Sequence, residues 1–408
     1  MPNSIVTPSW VTKEVARILV NELHFANTIN RDYDDSYVVA GAKVGYTVSA
    51  RLPQRYVVNK GQALNPQAVS DQVVPITLTD QANIGIEFST ASLTMEIDNY
   101  RERYIRPAVA AIINQIDFDG LTRMTPLVAQ SVGVPGVVPN LNLTYLQAGV
   151  KLSNASVPMD GRIGMLNAMM QATLVNANAA VFNPAAQISE QYRSGQFGAQ
   201  ALGVSRWYMD QNVYTHTVGP LGGTPTVNGA NQVGASIISQ AWTAAAANRL
   251  KRGDVIQFAG VFGVNPQNRV STGQLQDFVV TADVSSDGAG AATIPISPAI
   301  ITAGAYQTVT VSPASGAAIT IFGSASAYAS LATPQGLIYN PDFAALVMAD
   351  LDLPQGVWAA ERVSSKQLGI SVRFIKDYNI MTDQSPARLD VLYGYAALRP
   401  ELAVRIAS

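Results

Sequence analysis

Apolar positions near the start of the chain follow two different periods. Helical spacing relates Val15, Ile18, Leu19, Glu22 and Leu23, and Thr12 is a suitable N-cap before them. This pattern predicts a helix within an N-terminal arm over residues 1–40. Alternation typical of strands follows at 44–49 and 73–79, separated by a charged connection rich in Gly, Pro and Asn. We therefore expect a long extended hairpin over residues 41–80, which cannot build a core alone and would lie on another subunit.

The next segment, residues 81–217, has the pattern of an α+β unit. Its clearest helix is marked by apolar side chains at Ile105, Val109, Ile112 and Ile116. Pro107 would start or kink this helix, because proline is tolerated in a first turn but not in a helix interior. Further helix-like stretches lie at 144–155, 163–177 and 184–195, with a strand-like stretch at 179–184.

From residue 218 to 332 the chain is rich in Gly, Ala, Ser, Thr, Val and Pro and loses its helical period. Short β-rich runs between turn clusters predict a small barrel or sandwich; they lie at 255–264, 277–284, 292–298, 306–313 and 317–323. The mixed pattern of helices and strands seen before residue 218 returns over 333–408, where we expect a short helix at 340–354 and strands at 368–379 and 387–400. The β unit is therefore predicted to be an insertion into a host domain.

Charge is scarce for a chain of 408 residues, because only 13% are charged while 48% are hydrophobic. No run approaches the roughly eighteen apolar residues of a membrane span. Burial against other protein chains explains the missing charge, since interface cores are depleted of it. The net charge of -2, with basic residues scattered, disfavours a dedicated nucleic-acid binder and leaves only weak or passive contact with DNA.

The chain has no cysteine and does not begin with the pattern of a signal peptide. We therefore expect a protein made and kept in a reducing cytoplasm. The glycosylation sequons at Asn142 and Asn154 have no meaning without a secretory route.

No catalytic, cofactor or metal constellation is recognisable. His24 and His216 are not placed with carboxylates at ligand spacing and are interpreted as structural. "DGAGAAT" at 287–293 lacks the third glycine of a dinucleotide motif and is interpreted as a hairpin loop. The chain is therefore predicted to be a self-associating structural protein without enzymatic activity.

Two pairs of neighbouring residues are also interpreted structurally. Asp117 and Asp119 point to different faces of the predicted helix, so they are expected on a solvated or intersubunit face. Met169 and Met170 are expected in the core.

The tripeptide Arg252-Gly253-Asp254 matches a motif that some extracellular proteins use to bind adhesion receptors. Gly253 and Asp254 are predicted turn residues before "VIQFAGV", whose alternating apolar side chains would enter the barrel core, with Lys251 and Arg252 in solvent. An extracellular β-rich binding module stays an alternative, which the missing signal peptide and cysteines disfavour.

Five segments, in order along nearly the whole chain, resemble the major coat proteins of tailed bacteriophages. The resemblance is to the branch of the short-tailed Salmonella phage (podovirus) coat protein, whose subunit carries an inserted domain. The segments are "KVGYTVSARLPQRY", "VPITLTDQANIGIEFS", "YRERYIRPAVAAIINQID", "RLKRGDVIQFAGV" and "VLYGYAALRPELAV".

This resemblance implies the Hong Kong 97 phage major capsid fold, an α+β fold with an inserted all-β barrel. Residues 1–40 would form the N-terminal arm and 41–80 the E-loop. Residues 81–217 would hold the P-domain with its spine helix and the first part of the A-domain, and 218–332 the inserted barrel. The remainder of both host domains would come from 333–408.

The resemblance also implies a function and partners. Copies of the chain would assemble through pentamers and hexamers into an icosahedral shell around double-stranded DNA, packaged without sequence specificity. Assembly would take place in the cytoplasm of the bacterial host, with a scaffolding protein and a portal as partners and a decoration protein as a further one. The chain shows no long N-terminal extension that could act as a built-in scaffold, so the scaffolding protein would be separate.

Within the E-loop, Arg51, Arg55 and Lys60 are expected to help dock the loop on a neighbouring subunit; a solvated loop is the alternative. One departure from the family concerns the inserted domain, where an acidic loop links neighbouring capsomers in the type member. Here the short uncharged "WTAAAAN" (242–248) stands in its place, which puts that contact in doubt. A bacterial encapsulin-type nanocompartment that holds protein cargo is the second function considered, and the inserted β domain counts against it.

Some relatives crosslink subunits through an E-loop lysine, and Lys60 lies in the corresponding region. No partner asparagine can be identified, so we expect no crosslink. A denaturing gel of mature shells should show one band at the 43.2 kDa of the subunit. A ladder of larger bands would contradict this expectation.

Overall fold

The computed structural model describes residues 24–31, 47–58, 60–62, 66–67, 72–89, 106–178, 202–323, 328–365 and 370–408. Predictions for the arm helix before residue 24, for Ile105 and for 179–195 lie outside these ranges. Contacts divide the chain into two compact units. Unit 1 comprises Met1–Leu52, Gln72–Gly120 and Ala344–Leu398, and unit 2 comprises Pro53–Asp71, Leu121–Phe343 and Arg399–Ser408.

The described residues form an α+β structure. The α-helices are α1 Phe25–Thr28, α2 Arg106–Met124, α3 Asn142–Asn154 and α4 Ala168–Asn178. Short 3-10 helices cover Thr125–Leu127, Pro341–Phe343 and Pro400–Leu402. The strands are β1 Thr47–Leu52, β2 Gln72–Thr77, β3 Asp80–Ser89, β4 Ser131–Gly133, β5 Ile163–Leu166, β6 Arg206–Met209, β7 Thr215–Thr217, β8 Gly223–Val227, β9 Gly234–Trp242, β10 Ala247–Leu250, β11 Val255–Phe258, β12 Phe262–Val264, β13 Ser271–Leu275, β14 Phe278–Val280, β15 Val284–Ser286, β16 Ala292–Ile300, β17 Ile319–Ile321, β18 Ala332–Tyr339, β19 Ala344–Ala349, β20 Ala359–Ser365, β21 Ile370–Lys376, β22 Gln384–Ala397 and β23 Ala403–Ala407.

Unit 1 is organised by the long strand β22, which pairs antiparallel with β3, β19 and β21, while β20 extends the sheet beyond β21. The hairpin β1–β2 has its base in this unit, because Ile76 and Leu78 are buried in one cluster with Ala345 and Val347. The predicted hairpin is therefore present, with strands that begin and end a few residues from the predicted bounds.

The spine helix α2 follows the predicted pattern where the structure describes it. Val109, Ile112 and Ile116 are buried, and Pro107 lies in the first turn, where its missing N–H costs no hydrogen bond. Gly120 allows the rings of Phe25 and Tyr395 to approach the helix, because a Cβ at this position would lie 2.8 Å from each ring.

The prediction that Asp117 lies on a solvated or intersubunit face of this helix was wrong. Its side chain is only 3% exposed, and its two oxygens accept hydrogen bonds from the backbone N–H of His24 at 2.9 Å and of Ala26 at 3.0 Å. The carboxylate thus satisfies donors at the start of α1, which sequence spacing could not reveal because the partners lie about ninety residues away. Asp119, two residues on, accepts a hydrogen bond from Tyr393.

Unit 2 contains a mixed sheet in the order β4-β23-β18-β5-β6, with β7 also paired to β18; we call it the host sheet. Helix α3 is buried on one side through Tyr145, Ala148 and Leu152. The β4–β23 and β5–β6 pairs are parallel and the other pairs antiparallel. The sheet draws β4, β5, β6 and β7 from before residue 218, and β18 and β23 from residue 332 onward.

The same unit contains an antiparallel six-stranded sheet in the order β17-β11-β14-β16-β9-β8. A bridge between Thr226 and Ala318 joins its two edge strands, so the sheet closes into a barrel. The interior is apolar, and the rings of Phe258 and Phe278 pack with centroids 5.2 Å apart. The expected all-β barrel is therefore present.

Three local predictions were wrong. Residues 344–349 of the predicted helix at 340–354 form β19, whose side chains are buried on both faces; continuous burial hides the alternation that marks a strand. The helix expected from residue 163 begins only at Ala168, because Ile163–Leu166 is the fully buried strand β5. The run 306–313 contributes only an isolated bridge, at Val309.

Within β11, Ile256 and Phe258 alternate and enter the barrel core, as predicted, together with Val261 in the following turn. Val255, on the other side of the strand, is buried as well. None of the described helices has the length and hydropathy needed to span a bilayer.

Replacing Asp117 with Asn should destabilise unit 1 by about 2 kcal/mol, because an amide accepts only one of the two hydrogen bonds and leaves a buried N–H unpaired. Urea unfolding of the free subunit measures this change. Asp352→Asn, at an exposed position of the same unit, is the matched control. Equal unfolding midpoints for the two variants would contradict the role of Asp117.

Candidate functional site

The hairpin β1–β2 leads to a loop whose residues belong to unit 2. Val57 donates from its N–H to Gln67 Oε1 at 2.9 Å, and Gln67 Nε2 donates back to the Val57 carbonyl. This reciprocal pair joins the two sides of the loop at Val57 and Gln67.

Among the described loop residues, Arg55 contacts both an acidic and an aromatic side chain. Its Nη2 lies 2.7 Å from Glu401 Oε1, and its guanidinium lies 6.0 Å from the centre of the Tyr306 ring. The same Glu401 oxygen accepts a hydrogen bond from Arg399 at 3.2 Å. Arg269 donates to the Tyr56 carbonyl at 2.6 Å. We call the surface formed by Arg269, Tyr306, Arg399 and Glu401 the loop cleft.

The three loop residues expected to act together therefore differ in the structure. Arg55 contacts the loop cleft of its own chain, whereas Arg51, paired across from Val73 in the hairpin, and Lys60 are exposed. Sequence reasoning missed Glu401, because it lies 346 residues from Arg55 and no local pattern marks it.

The inserted barrel is joined to the host sheet through Asp254. This carboxylate is only 2% exposed, and its Oδ1 lies 2.7 Å from His216 Nε2 on β7. Its Oδ2 accepts hydrogen bonds from the backbone N–H of Gly219 at 3.1 Å and of Lys251 at 2.8 Å. Asp254 thus fixes the chain where it enters the barrel, next to a turn.

Lys251 and Arg252 of that turn are exposed to solvent, in agreement with the prediction. Gly253 adopts φ +97°, and a Cβ there would lie 3.1 Å from the His216 ring, so glycine is required. A receptor cannot reach the buried Asp254 carboxylate, which removes the physical basis of the adhesion alternative.

Asp277 makes a second buried link between the barrel and the host sheet. Its Oδ2 pairs with Lys151 of α3 and accepts a hydrogen bond from Ser131 N–H at 3.3 Å. Its Oδ1 accepts from Gln257 of the barrel at 2.6 Å. Lys151 also donates to the Ser131 carbonyl at 2.8 Å, so both charged groups are engaged.

Arg405 on β23 completes this junction. Its Nη1 donates to the Gly253 carbonyl at 2.9 Å and to Gln335 Oε1 at 3.0 Å. Burial lowers the pKa of Arg405 to about 10, although Tyr214, Asp254 and Asp277 favour its charge. Burial likewise raises the pKa of Tyr214, whose hydroxyl lies 3.4 Å from His216 Nδ1. The junction is a buried polar network, and it explains the structural role assigned to His216.

Among the many exposed apolar side chains of the described residues, two groups lie together on ordered elements. On α3, Leu143, Leu146 and Val150 lie on the face opposite to the buried one. In the turn between β21 and β22, Ile380 is 80% and Met381 89% exposed, and the turn is held by the Tyr378 hydroxyl on Asp383 at 2.9 Å. Ordered apolar groups of this kind favour contact with other protein surfaces.

The methionine pair on α4 is divided between the two environments. Met170 is buried as expected, but Met169 is 61% exposed, because consecutive residues of a helix point in different directions.

Among the described residues there is no group of His, Asp or Glu side chains that could hold a metal ion.

Replacing Asp254 with Ala should destabilise the barrel junction by about 3 kcal/mol, because His216 and two backbone N–H groups lose their buried acceptor. Hydrogen exchange of peptides from β7 and β11, measured by mass spectrometry, should become faster. Asp283→Ala changes an exposed aspartate that caps only Arg252 N–H and is the control. Unchanged exchange in the Asp254 variant would show that the network does not hold the junction.

Comparison with known proteins gives one family match. The model of the family described as "P22 coat protein - gene protein 5" matches residues 67–406. No curated protein matches the chain.

Several solved structures are similar in part. A structure from Mycobacterium phage Che8 has a TM-score of 0.47 at 14% identity, covering 94% of this chain and 91% of that one. The bacteriophage PhiM1 mature capsid has a TM-score of 0.44 at 9% identity, covering 95% and 87%. The CUS-3 coat protein I-domain is 28% identical, with a TM-score of 0.19, and covers 24% of this chain and 96% of that one.

The family match confirms the resemblance to tailed-phage coat proteins and the capsid fold that it implies, and it does not favour the nanocompartment alternative. Because the matched residues make up well over half of the sequence, the chain belongs to the P22 coat protein family and is a structural major capsid protein, not an enzyme.

Proposed function

We propose that copies of this chain assemble through pentamers and hexamers into an icosahedral shell that encloses double-stranded phage DNA. The family match over residues 67–406 carries this proposal. Such a shell uses heterologous contacts that close into rings, so that each individual contact can be weak.

The surface of the subunit supports assembly with copies of itself. Only 13% of the residues are charged, and the exposed groups on α3 and at Ile380 and Met381 are apolar. Each group is small compared with a stable dimer interface, which buries roughly 1,200–2,000 Å² in total. Many such contacts in a closed shell would bury what a single pair cannot.

The loop at the end of the β1–β2 hairpin is the proposed E-loop, which docks on a neighbouring subunit. Arg51 and Lys60 are exposed and able to contact another chain, while Arg55 forms an ion pair with Glu401 of its own chain. Residues 218–332 are the proposed inserted domain, whose core extends from Val218 to Ile321. The turn between β9 and β10 has no acidic side chain, so other groups would make any capsomer-to-capsomer contact there.

The remaining partners follow from this assembly. A separate scaffolding protein and a portal would act during assembly in the host cytoplasm, and a decoration protein could bind the finished shell. With a net charge of -2 and scattered basic residues, contact of the shell with the packaged DNA would be weak and without sequence specificity.

Electron microscopy of the purified assembly, with its nucleic-acid absorbance ratio, tests this function. Shells filled with DNA are the expected result. Shells with protein cargo would instead support a nanocompartment, and monomers without shells would contradict both functions.

Reversing the charges of the loop, by Arg51→Glu together with Arg55→Glu, should impair shell assembly without unfolding the subunit. The reason is that the introduced carboxylates would repel groups of like charge on the neighbouring surface that receives the loop. Sedimentation measures shell yield and circular dichroism measures folding. Lys251→Glu with Arg252→Glu makes the same charge change at an exposed turn and should leave assembly intact. Normal shells from the loop variant would show that these side chains do not dock the loop.

A further inference from the structure

We propose that the loop cleft is the acceptor for the loop of a neighbouring copy, and that assembly exchanges the self-contact seen here for the same contact between subunits. This inference rests on the proposed shell function and identifies which surface receives the loop. It concerns the contacts of Arg55 and Tyr56 with Arg269, Tyr306 and Glu401.

The chemistry of the loop cleft is complementary to the loop. Glu401 supplies a carboxylate to the Arg55 guanidinium at 2.7 Å, and Arg269 supplies a donor to the Tyr56 carbonyl at 2.6 Å. Arg269 is itself positioned by a hydrogen bond from its Nε to the Gly304 carbonyl at 3.2 Å. Donor and acceptor groups on both sides are thus matched, so an identical loop from another copy finds the same partners.

The self-contact is reversible because it is partly solvated. The side chains of Arg55 and Glu401 are 25% and 34% exposed, and Tyr56 and Val58 are exposed as well. Ion pairs of this kind contribute roughly 0–1 kcal/mol, which is far too little to lock the loop on its own chain.

Exchange between copies costs little, since each subunit breaks and re-forms the same bonds. The gain comes from ring closure, where every subunit gives one loop and receives one, so the contacts become multivalent. In a free subunit the self-contact covers the acceptor and competes with neighbours. The loop cleft would therefore both restrain the free subunit and join the assembled ones.

Complementary charge reversal separates contact within a chain from contact between chains. Arg55→Glu and Glu401→Arg, each alone, place like charges together in either case, and we expect shell yield to fall about tenfold. Mixing the two chains before assembly restores opposite charges only where a loop enters the cleft of the other chain. Recovery of shells in the mixture is the expected result.

Three outcomes would overturn the inference. They are single variants that assemble like the unsubstituted chain, a mixture that stays as defective as its components, and incorporation of a tagged Glu401→Arg chain into shells that is as high with Lys251→Glu as with Arg55→Glu. The last mixture carries the same added charge away from the loop and is the control. Failure of the unsubstituted chain to form shells would instead contradict the proposed function.

A crosslinking experiment covers the case in which charge reversal disturbs folding. The chain has no cysteine, so chains with Arg55→Cys and with Glu401→Cys carry one thiol each. Mixed shells treated with a short bis-maleimide should give a crosslinked dimer of twice the 43.2 kDa subunit mass. A chain with both substitutions should crosslink internally when free and between copies in shells. Internal crosslinks alone in assembled shells would refute the exchange.

Discussion

Two buried carboxylates, Asp254 and Asp277, hold the inserted barrel on its host sheet, and the arrangement of unit 2 depends on them. Each accepts hydrogen bonds from groups on both sides of the junction. Charges removed from water are costly unless every acceptor and donor is matched, so these links define one orientation and penalise others. Arg405 adds a third link through its Nη1, which reaches from β23 to the carbonyl of Gly253 in the turn before β11, while its Nε and Nη2 are buried without a hydrogen-bond partner.

At this junction, the turn could be predicted from the sequence, but the buried contacts could not. Gly253 and its neighbours were recognised as a turn because turn chemistry is local. The burial of Asp254 was missed, because its partner His216 lies 38 residues away and both residues are polar. The pattern that predicts burial in a strand or helix is hydrophobic, and a paired carboxylate leaves no trace in it.

The same limit appears in the elements. The spine helix α2 was predicted from Val109, Ile112 and Ile116 because one of its faces is buried and another is not. The strand β19 was mistaken for a helix because it is buried on both faces, where no period of two survives. The resemblance to the family rests on whole segments of sequence, so these errors in single elements do not affect it. In the loop, Arg51 and Lys60 are exposed, as the alternative of a solvated loop predicts. The contact of Arg55 with Glu401 could not be predicted, because only the fold brings these two residues together.

The closed barrel has a further consequence for contact between neighbouring subunits. An open sheet presents unpaired N–H and C=O groups along its edges, and these groups template pairing with other chains. Here the bridge between Thr226 and Ala318 pairs the two edge strands with each other. The six-stranded sheet of the barrel therefore leaves neither of its edge strands open to a neighbouring chain at this bridge. Crowded subunits can then meet through their side chains instead of aggregating through their backbones.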